Sequence, residues 1–280
     1  MHRSVRSLSR GLSLIRQLNV TGPASAQQLA AGTGVNRTTC YRLLQTLQDE
    51  GYVSFDAKSA LFGLTNQVRT LSEGVSLSDL SSQAALPPMF ALLKEASWPS
   101  DFALFELGSL MIHESTHSFS PFSVHRSMIG RRRSLVRSAL GRAILTAASP
   151  TLRREMLDIT ASLVPEDATL ARNRKAIRHV VLQTRKDGYA SSVGEAEQGI
   201  SAIALPVQGI GPVLASLNLV FFTSAMTPEI AARRYLRAMK KAVREIERRW
   251  RTLQLDHRPF QRGGRFSMKA AMPSIRSSDR

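Results

Sequence analysis

His113-Glu114-Ser115-Thr116-His117 carries the H-E-x-x-H pattern, in which two histidines hold zinc and the glutamate acts as base. That chemistry needs a helix, where residues four apart share one face and one metal. Here the segment follows a Gly108-Ser109 turn, and Asp101–Leu107 and Leu110–Thr116 read as a strand, a turn and a strand. In a strand, residues four apart lie about 13 Å from each other, too far to share a metal. Ser118-Phe-Ser-Pro121 is poor helix material, and His125, as a third ligand, has no glycine before it at the metzincin spacing. Zinc-dependent hydrolysis through His113, Glu114 and His117 is the alternative reading; a plain strand is the simpler one. No G-x-S-x-G, Walker A or G-x-G-x-x-G sequence is present.

A second constellation lies at Asn36–Glu50, NRTTCYRLLQTLQDE. Tyr41, Leu43, Leu44 and Leu47 include i, i+3, i+4 pairs that give a helix an apolar face. Asn36 caps its start and Gly51 its end. Arg37, Thr38 and Thr39 stand in the first turn and Arg42 one turn on. Donors and a methyl group at the N-terminal part of a helix suit base edges and phosphates in a major groove. Upstream, Ser25–Gly32 is a short helix and Thr33-Gly34-Val35 a tight turn. Helix, glycine-bearing turn, helix is the arrangement of a helix–turn–helix; a surface helical hairpin is the plainer alternative.

The remaining elements position these two stretches. Val5–Asn19 reads as a first helix with Leu8, Leu12, Ile15 and Leu18 as its inner stripe, and with Arg3, Arg6 and Arg10 placed to grip phosphate. After Gly51 come two short strands, one with Tyr52, Val53 and Phe55, the other with Leu61, Phe62 and Leu64. Their turn is Asp56–Ser59, with Lys58 at the tip, which makes a β-wing. Thr65–Ser82 reads as a linker helix loosened near Gly74, and Pro87-Pro88 as the next boundary. Pro88–Ala96 is helical, Ser127–Ile129 a further strand, and Arg137–Ala148, Pro150–Ile159 and Leu170–Asp187 are helices. Ile200–Val207 and Pro212–Phe222 flank a Gln208–Gly211 turn, and a last helix runs from Thr227 to about Trp250. The fold class is α+β: a winged helix–turn–helix (1–65), a linker helix (66–87), an effector-binding antiparallel sheet with helices (88–250) and a disordered basic tail (251–280).

Charge narrows the partners. The chain of 280 residues carries a net charge of +17, and residues 233–280 supply +11 of it. Such a balance points to a polyanion, nucleic acid or an anionic membrane. A non-specific nucleic-acid binder acting through the tail is therefore a third reading. No apolar run reaches the roughly 18 residues of a spanning helix. The single cysteine, Cys40, rules out an internal disulfide and suits a reducing cytoplasm.

Residues 5–12, 25–53 and 62–68 resemble the winged domain of IclR-type transcriptional regulators. GRRRSLVRSALGRAILTA (130–147), KDGYA (186–190) and EQGISAIALPV (197–207) are similar to that family's effector domain. The stretch 114–132 resembles MhpR-type activators of hydroxyphenylpropionate catabolism. The resemblance implies a GAF-like effector domain, a homodimer or tetramer on an inverted-repeat operator, and no catalysis or cofactor. It places DNA contacts on Arg37, Thr38, Thr39, Tyr41 and Arg42, backed by Arg6 and Arg10. The effector pocket falls on Gly130, Ser192, Ile200, Ala202 and Asn218. The usual Pro-Leu before the pocket helix is here Ser134-Leu135, and a common serine is Asn218.

The residues themselves add a ligand chemistry. Arg126, Arg131, Arg132, Arg133 and Arg137 cluster with no acid between Ser115 and Arg154. An arginine clamps a carboxylate with two parallel hydrogen bonds. Arg131 or Arg132, beside Gly130, is the expected partner of a small aromatic carboxylate. A basic surface for DNA or RNA polymerase is the competing reading.

Overall fold

Ser25 and Asn36 fix where two helices begin. Ser25 Oγ accepts from Gln28 N while Gln28 Oε1 accepts from Ser25 N, a reciprocal box, and Asn36 Oδ1 accepts from Thr38 N at 2.9 Å. In this computed structural model, residues 5–76, 80–123, 125, 127–209 and 214–256 are described. Arg3, Arg126, the Ile210–Pro212 part of the hairpin turn and the tail beyond 256 lie outside them.

The first unit contains α1 (Arg6–Thr21), α2 (Ala26–Thr33), α3 (Arg37–Asp49) and the hairpin β1 (Val53–Asp56) and β2 (Leu61–Leu64). Leu14, Leu18, Leu29, Cys40 and Leu44 meet Val53 and Phe62 in its core. The inner face of α1 differs from the expected one. Gly11, Leu14 and Leu18 are buried, whereas Leu8 and Leu12 are 63% and 46% exposed. Two apolar stripes run side by side on this helix, and α2 and α3 cover the one through Leu14.

Next, α4 (Gln67–Ser76) continues through Gly74, and α5 spans Leu80–Ala96. The Pro87-Pro88 boundary is not there: both prolines lie inside α5. They withhold two donors from the helix ladder. Burial of Ala84, Ala85, Met89, Leu92 and Ala96 against the sheet outweighs that loss.

The second unit is a six-stranded antiparallel sheet in the order β5-β4-β3-β8-β7-β6. Its strands are β3 (Asp101–Glu106), β4 (Ser109–Ser115), β5 (Arg132–Arg133), β6 (Ala190–Val193), β7 (Ile200–Gln208) and β8 (Leu214–Phe222). Period-two alternation divides β7 and β8 between two cores. Ile203, Leu205, Leu217, Leu219 and Phe221 pack on α5 and on α10 (Pro228–Asp256). Ala202, Ala204 and Val220 face α6 (Ala139–Ala147). A Cβ at Gly141 would stand 2.1 Å from the Leu135 carbonyl oxygen, so only glycine lets α6 sit this close to the chain entering it.

Three further elements depart from expectation. The strand that follows β4 is Arg132–Arg133, not Ser127–Ile129. The long helix over 170–187 is two, α8 (Pro165–Arg172) and α9 (Arg174–Asp187), because the Asn173 side chain accepts from Ala176 N and starts a new helix. α7 runs on to Leu163. The Ser-rich β6 carried no alternating signal and was not anticipated. No helix among the described residues is long and apolar enough to cross a membrane.

Candidate functional site

Two separate surfaces carry the expected site residues. On the first unit, Arg37, Thr38, Tyr41 and Arg42 of α3 are exposed and Thr39 is half-buried, while Cys40 and Leu44 on the opposite face are fully covered. Burial pushes the Cys40 thiol up. Arg6 and Arg10 on α1 are exposed, as is Lys58. None of these cations forms an ion pair with another described residue. Asp56 holds the wing turn through its bonds from Lys58 N (3.0 Å) and Ser59 Oγ (2.6 Å), which also lower its pKa. The Tyr41 ring meets Phe62 edge-on at 6.1 Å and so ties α3 to the wing.

The second surface is a cavity between the sheet and the N-terminal end of α6. Strand alternation brings Ile200, Ala202, Asn218 and Val220 to one face of β7 and β8, and Ser192 joins them from β6. Ser138 and Ala139 close the helix side; Ala139 N donates to Ser192 Oγ at 3.2 Å. Four of the seven expected effector residues (Ser192, Ile200, Ala202, Asn218) therefore line one cavity. Gly130 and Arg131 do not, and Arg132 lines a neighbouring open cleft, where its Nη1 donates to Ser109 Oγ at 2.9 Å. The arginine in the cavity is Arg133. Adjacent strand residues point to opposite faces, and Arg133 is the one in register with buried Leu110.

Groups from distant segments complete this site. Glu197 Oε1 pairs with His125 Nε2 at 2.7 Å and Oε2 accepts from Arg133 Nη2 at 3.2 Å, so one carboxylate spans two partners at the cavity. Burial pushes the Glu197 carboxyl up, but the charges of His125 and Arg133 bring it below its ordinary value. Deeper in, Asp101 is 1% exposed; its N donates to Asn218 Oδ1 at 2.6 Å and its Oδ2 accepts from Asn218 Nδ2 at 3.2 Å. His117 Nε2 stands 3.6 Å from that oxygen, and its Nδ1 pairs with Ser123 Oγ at 2.6 Å. Burial raises the Asp101 carboxyl, and His117, Ser115 and Asn218 together outweigh it, leaving the pKa lowered. Asp101 Oδ1 and His117 Nε2 have no hydrogen-bond partner among the described residues. The cavity has a volume of about 40 Å³, room for a few waters and no benzene ring.

Residues 7–57 match the IclR helix-turn-helix domain, and residues 79–248 match the bacterial transcriptional regulator IclR C-terminal domain. The chain belongs to the IclR family. It is 26% identical over 247 residues to the HTH-type transcriptional regulator KdgR of Escherichia coli, covering 87% of this chain and 92% of that protein. It is 25% identical over 268 residues to the p-hydroxybenzoate hydroxylase transcriptional activator of Acinetobacter baylyi, covering 86% and 90%. The fold is similar to the crystal structure of the Thermotoga maritima IclR, with a TM-score of 0.64 at 18% identity over 88% and 98% of the two chains.

The zinc-hydrolase alternative falls on both counts: these IclR-family relatives are transcriptional regulators, and the H-E-x-x-H residues are not on a helix. His113 lies within β4 and pairs with Glu106 at 2.5 Å, whereas His117 begins a short 3₁₀ turn and is buried beside Asp101. No group of three metal-ligating side chains occurs among the described residues. Of the residues in the pattern, only His117 lines the cavity. Sequence reasoning missed Asp101 and Glu197. The only available signal was an acid leading an apolar strand in one case, and the second of two closely spaced acids, Glu195 and Glu197, in the other.

Proposed function

We propose that this regulator responds to a small aromatic carboxylate, hydroxyphenylpropionate or 4-hydroxybenzoate in type, and activates an operon for aromatic-acid catabolism. The single observation that carries this reading is the Glu197 carboxylate held between His125 and Arg133 at the cavity. Two donors that grip one carboxylate can grip another, and an effector carboxylate takes the place of Glu197 there. The positive end of the α6 dipole, at its N-terminus, favours the same sign of charge. Ile200, Ala202 and Val220 offer the ring an apolar wall, and the unpaired Asp101 Oδ1 accepts from a ring hydroxyl. Glu197 sits between Gly194 and Gly199, whose φ values of +75° and +77° only glycine adopts freely. Its withdrawal enlarges the small cavity. The activator of p-hydroxybenzoate hydroxylase among the relatives supports the same ligand class, and so does the likeness of residues 114–132 to hydroxyphenylpropionate-type activators.

On DNA, Arg37, Thr38, Thr39, Tyr41 and Arg42 face the major groove, while Arg6, Arg10 and Lys58 meet phosphates. One such module reads a short half-site, so two copies bind an inverted repeat. Val5, Leu8 and Leu12 form an exposed apolar stripe on or beside α1 that suits a second copy of the chain. Coupling has a physical route: Asn19 Nδ2 on α1 donates to Ser127 Oγ at 3.0 Å, on the segment that also carries His117 and His125. An effector that shifts this segment biases the placement of the reading helices, and with it contact with RNA polymerase. The test is footprinting on promoter fragments next to the gene, with and without 4-hydroxybenzoate and hydroxyphenylpropionate. The expected result is protection of two half-sites spaced by about one helical turn or a multiple, altered by the acid. Protection of a single half-site, or a footprint indifferent to every aromatic acid, would contradict it.

A further inference from the structure

We propose that the groove between α7 and α9 docks an acidic peptide segment with an apolar face, belonging to a partner protein. The groove encloses about 430 Å³. Beneath it lie the buried core residues Leu157, Ile177 and Val181, and Leu182 stands 54% exposed at its edge. Five arginines surround it: Arg153, Arg154, Arg174, Arg178 and Arg185, and no acid lines it. Arg174, Arg178, Leu182 and Arg185 repeat along one face of α9, so the cations and the exposed leucine form one stripe.

Few of these charges meet an acid among the described residues, although Arg153 donates to the Leu145 and Ala148 carbonyls at 2.5 and 2.8 Å. Arg174 reaches Asp158 at 3.8 Å across an exposed gap, and the other four form no ion pair with a described residue. Burial lowers the Arg153 pKa, and the neighbouring Arg185 lowers it further. Like charges held together beside an exposed leucine favour an occupant that brings carboxylates and covers Leu182 at once. The chain's own tail is basic and cannot serve. A DNA backbone would satisfy the cations yet leave Leu182 uncovered, so a peptide fits better than a duplex.

The test uses the full chain and fluorescence anisotropy with a labelled peptide of Asp, Glu and Leu at helical spacing. A second peptide has serine for each leucine, and a random-sequence DNA duplex serves as the competing probe. The double variant Arg178→Glu, Arg185→Glu should weaken the Leu peptide about tenfold or more, as a reversed charge pair does at an interface. Leu182→Ser should weaken it about threefold, the worth of part of one exposed leucine, and the serine peptide should bind less well than the leucine one. Arg233→Glu, Arg237→Glu, a matched reversal on exposed α10 positions, should leave binding within about twofold. All substituted side chains except the control pair border the groove, and thermal melts establish that each variant folds. Equal loss in the α10 control, or no saturable peptide binding, overturns the proposal. So does parallel loss of duplex binding with no effect of Leu182→Ser, which would make the groove a phosphate surface.

Discussion

Arg42 on α3 and Arg133 on β5 carry the same guanidinium in opposite settings. Arg42 is exposed and pairs with no described residue. Arg133 is half-buried, its Nη2 already on the Glu197 carboxylate at 3.2 Å. An open cation is available to any phosphate, so affinity comes cheaply and selectivity must come from where the helix places neighbouring side chains. An engaged cation yields only to a ligand that replaces its partner, so selectivity is built into the exchange. The same contrast holds for stability: removing a solvated group costs little, and removing one member of a buried polar set leaves the others unpaired.

The largest expected effect tests that last point. Asp101→Ala should lower unfolding free energy by about 3 kcal/mol, because Asn218 and His117 lose a buried partner. Urea denaturation measures it, and a loss under about 1 kcal/mol would mean that the buried set is not a unit. Arg42→Ala is next. It should leave stability within about 0.5 kcal/mol and weaken operator binding by about 1–3 kcal/mol. Unchanged affinity in a gel-shift titration would remove Arg42 from the reading surface.

The smallest effect is in acid. Asp101 and Glu197 both have folded pKa values below their ordinary ones. Depressed carboxyls contribute stability above the unfolded pKa, about 4, and lose it as pH falls through the folded value. The melting temperature should therefore drop as pH is lowered through and below 4, with a shallower slope in Asp101→Asn. Equal slopes would place the acid sensitivity elsewhere.

The two regions were also legible to different degrees. The reading helix is specified locally: a reciprocal cap at Ser25, a cap at Asn36 and an apolar face at Leu44 all lie within one stretch. The sheet positions Ser192, Ile200, Ala202 and Asn218 followed from the family resemblance, and alternation explains why they converge. The clamp did not follow. Arg131, Arg132 and Arg133 are equivalent in sequence, and only the pairing of a two-residue strand with β4 decides which one faces the cavity. Glu197 lies 64 residues from Arg133 in sequence, and nothing local announces the pair. Pro87-Pro88 misled for the converse reason: a strong local signal lost to burial of one helix face against the sheet.

The central claim is that an effector carboxylate displaces Glu197 from Arg133 and His125. Calorimetric titration of the full chain and of Glu197→Gln with 4-hydroxybenzoate and with its amide tests it most directly. The account predicts that the acid binds, that the amide binds at least about tenfold more weakly, and that Glu197→Gln binds the acid more tightly than the natural chain does. Equal binding of acid and amide, with no gain in Glu197→Gln, would contradict it.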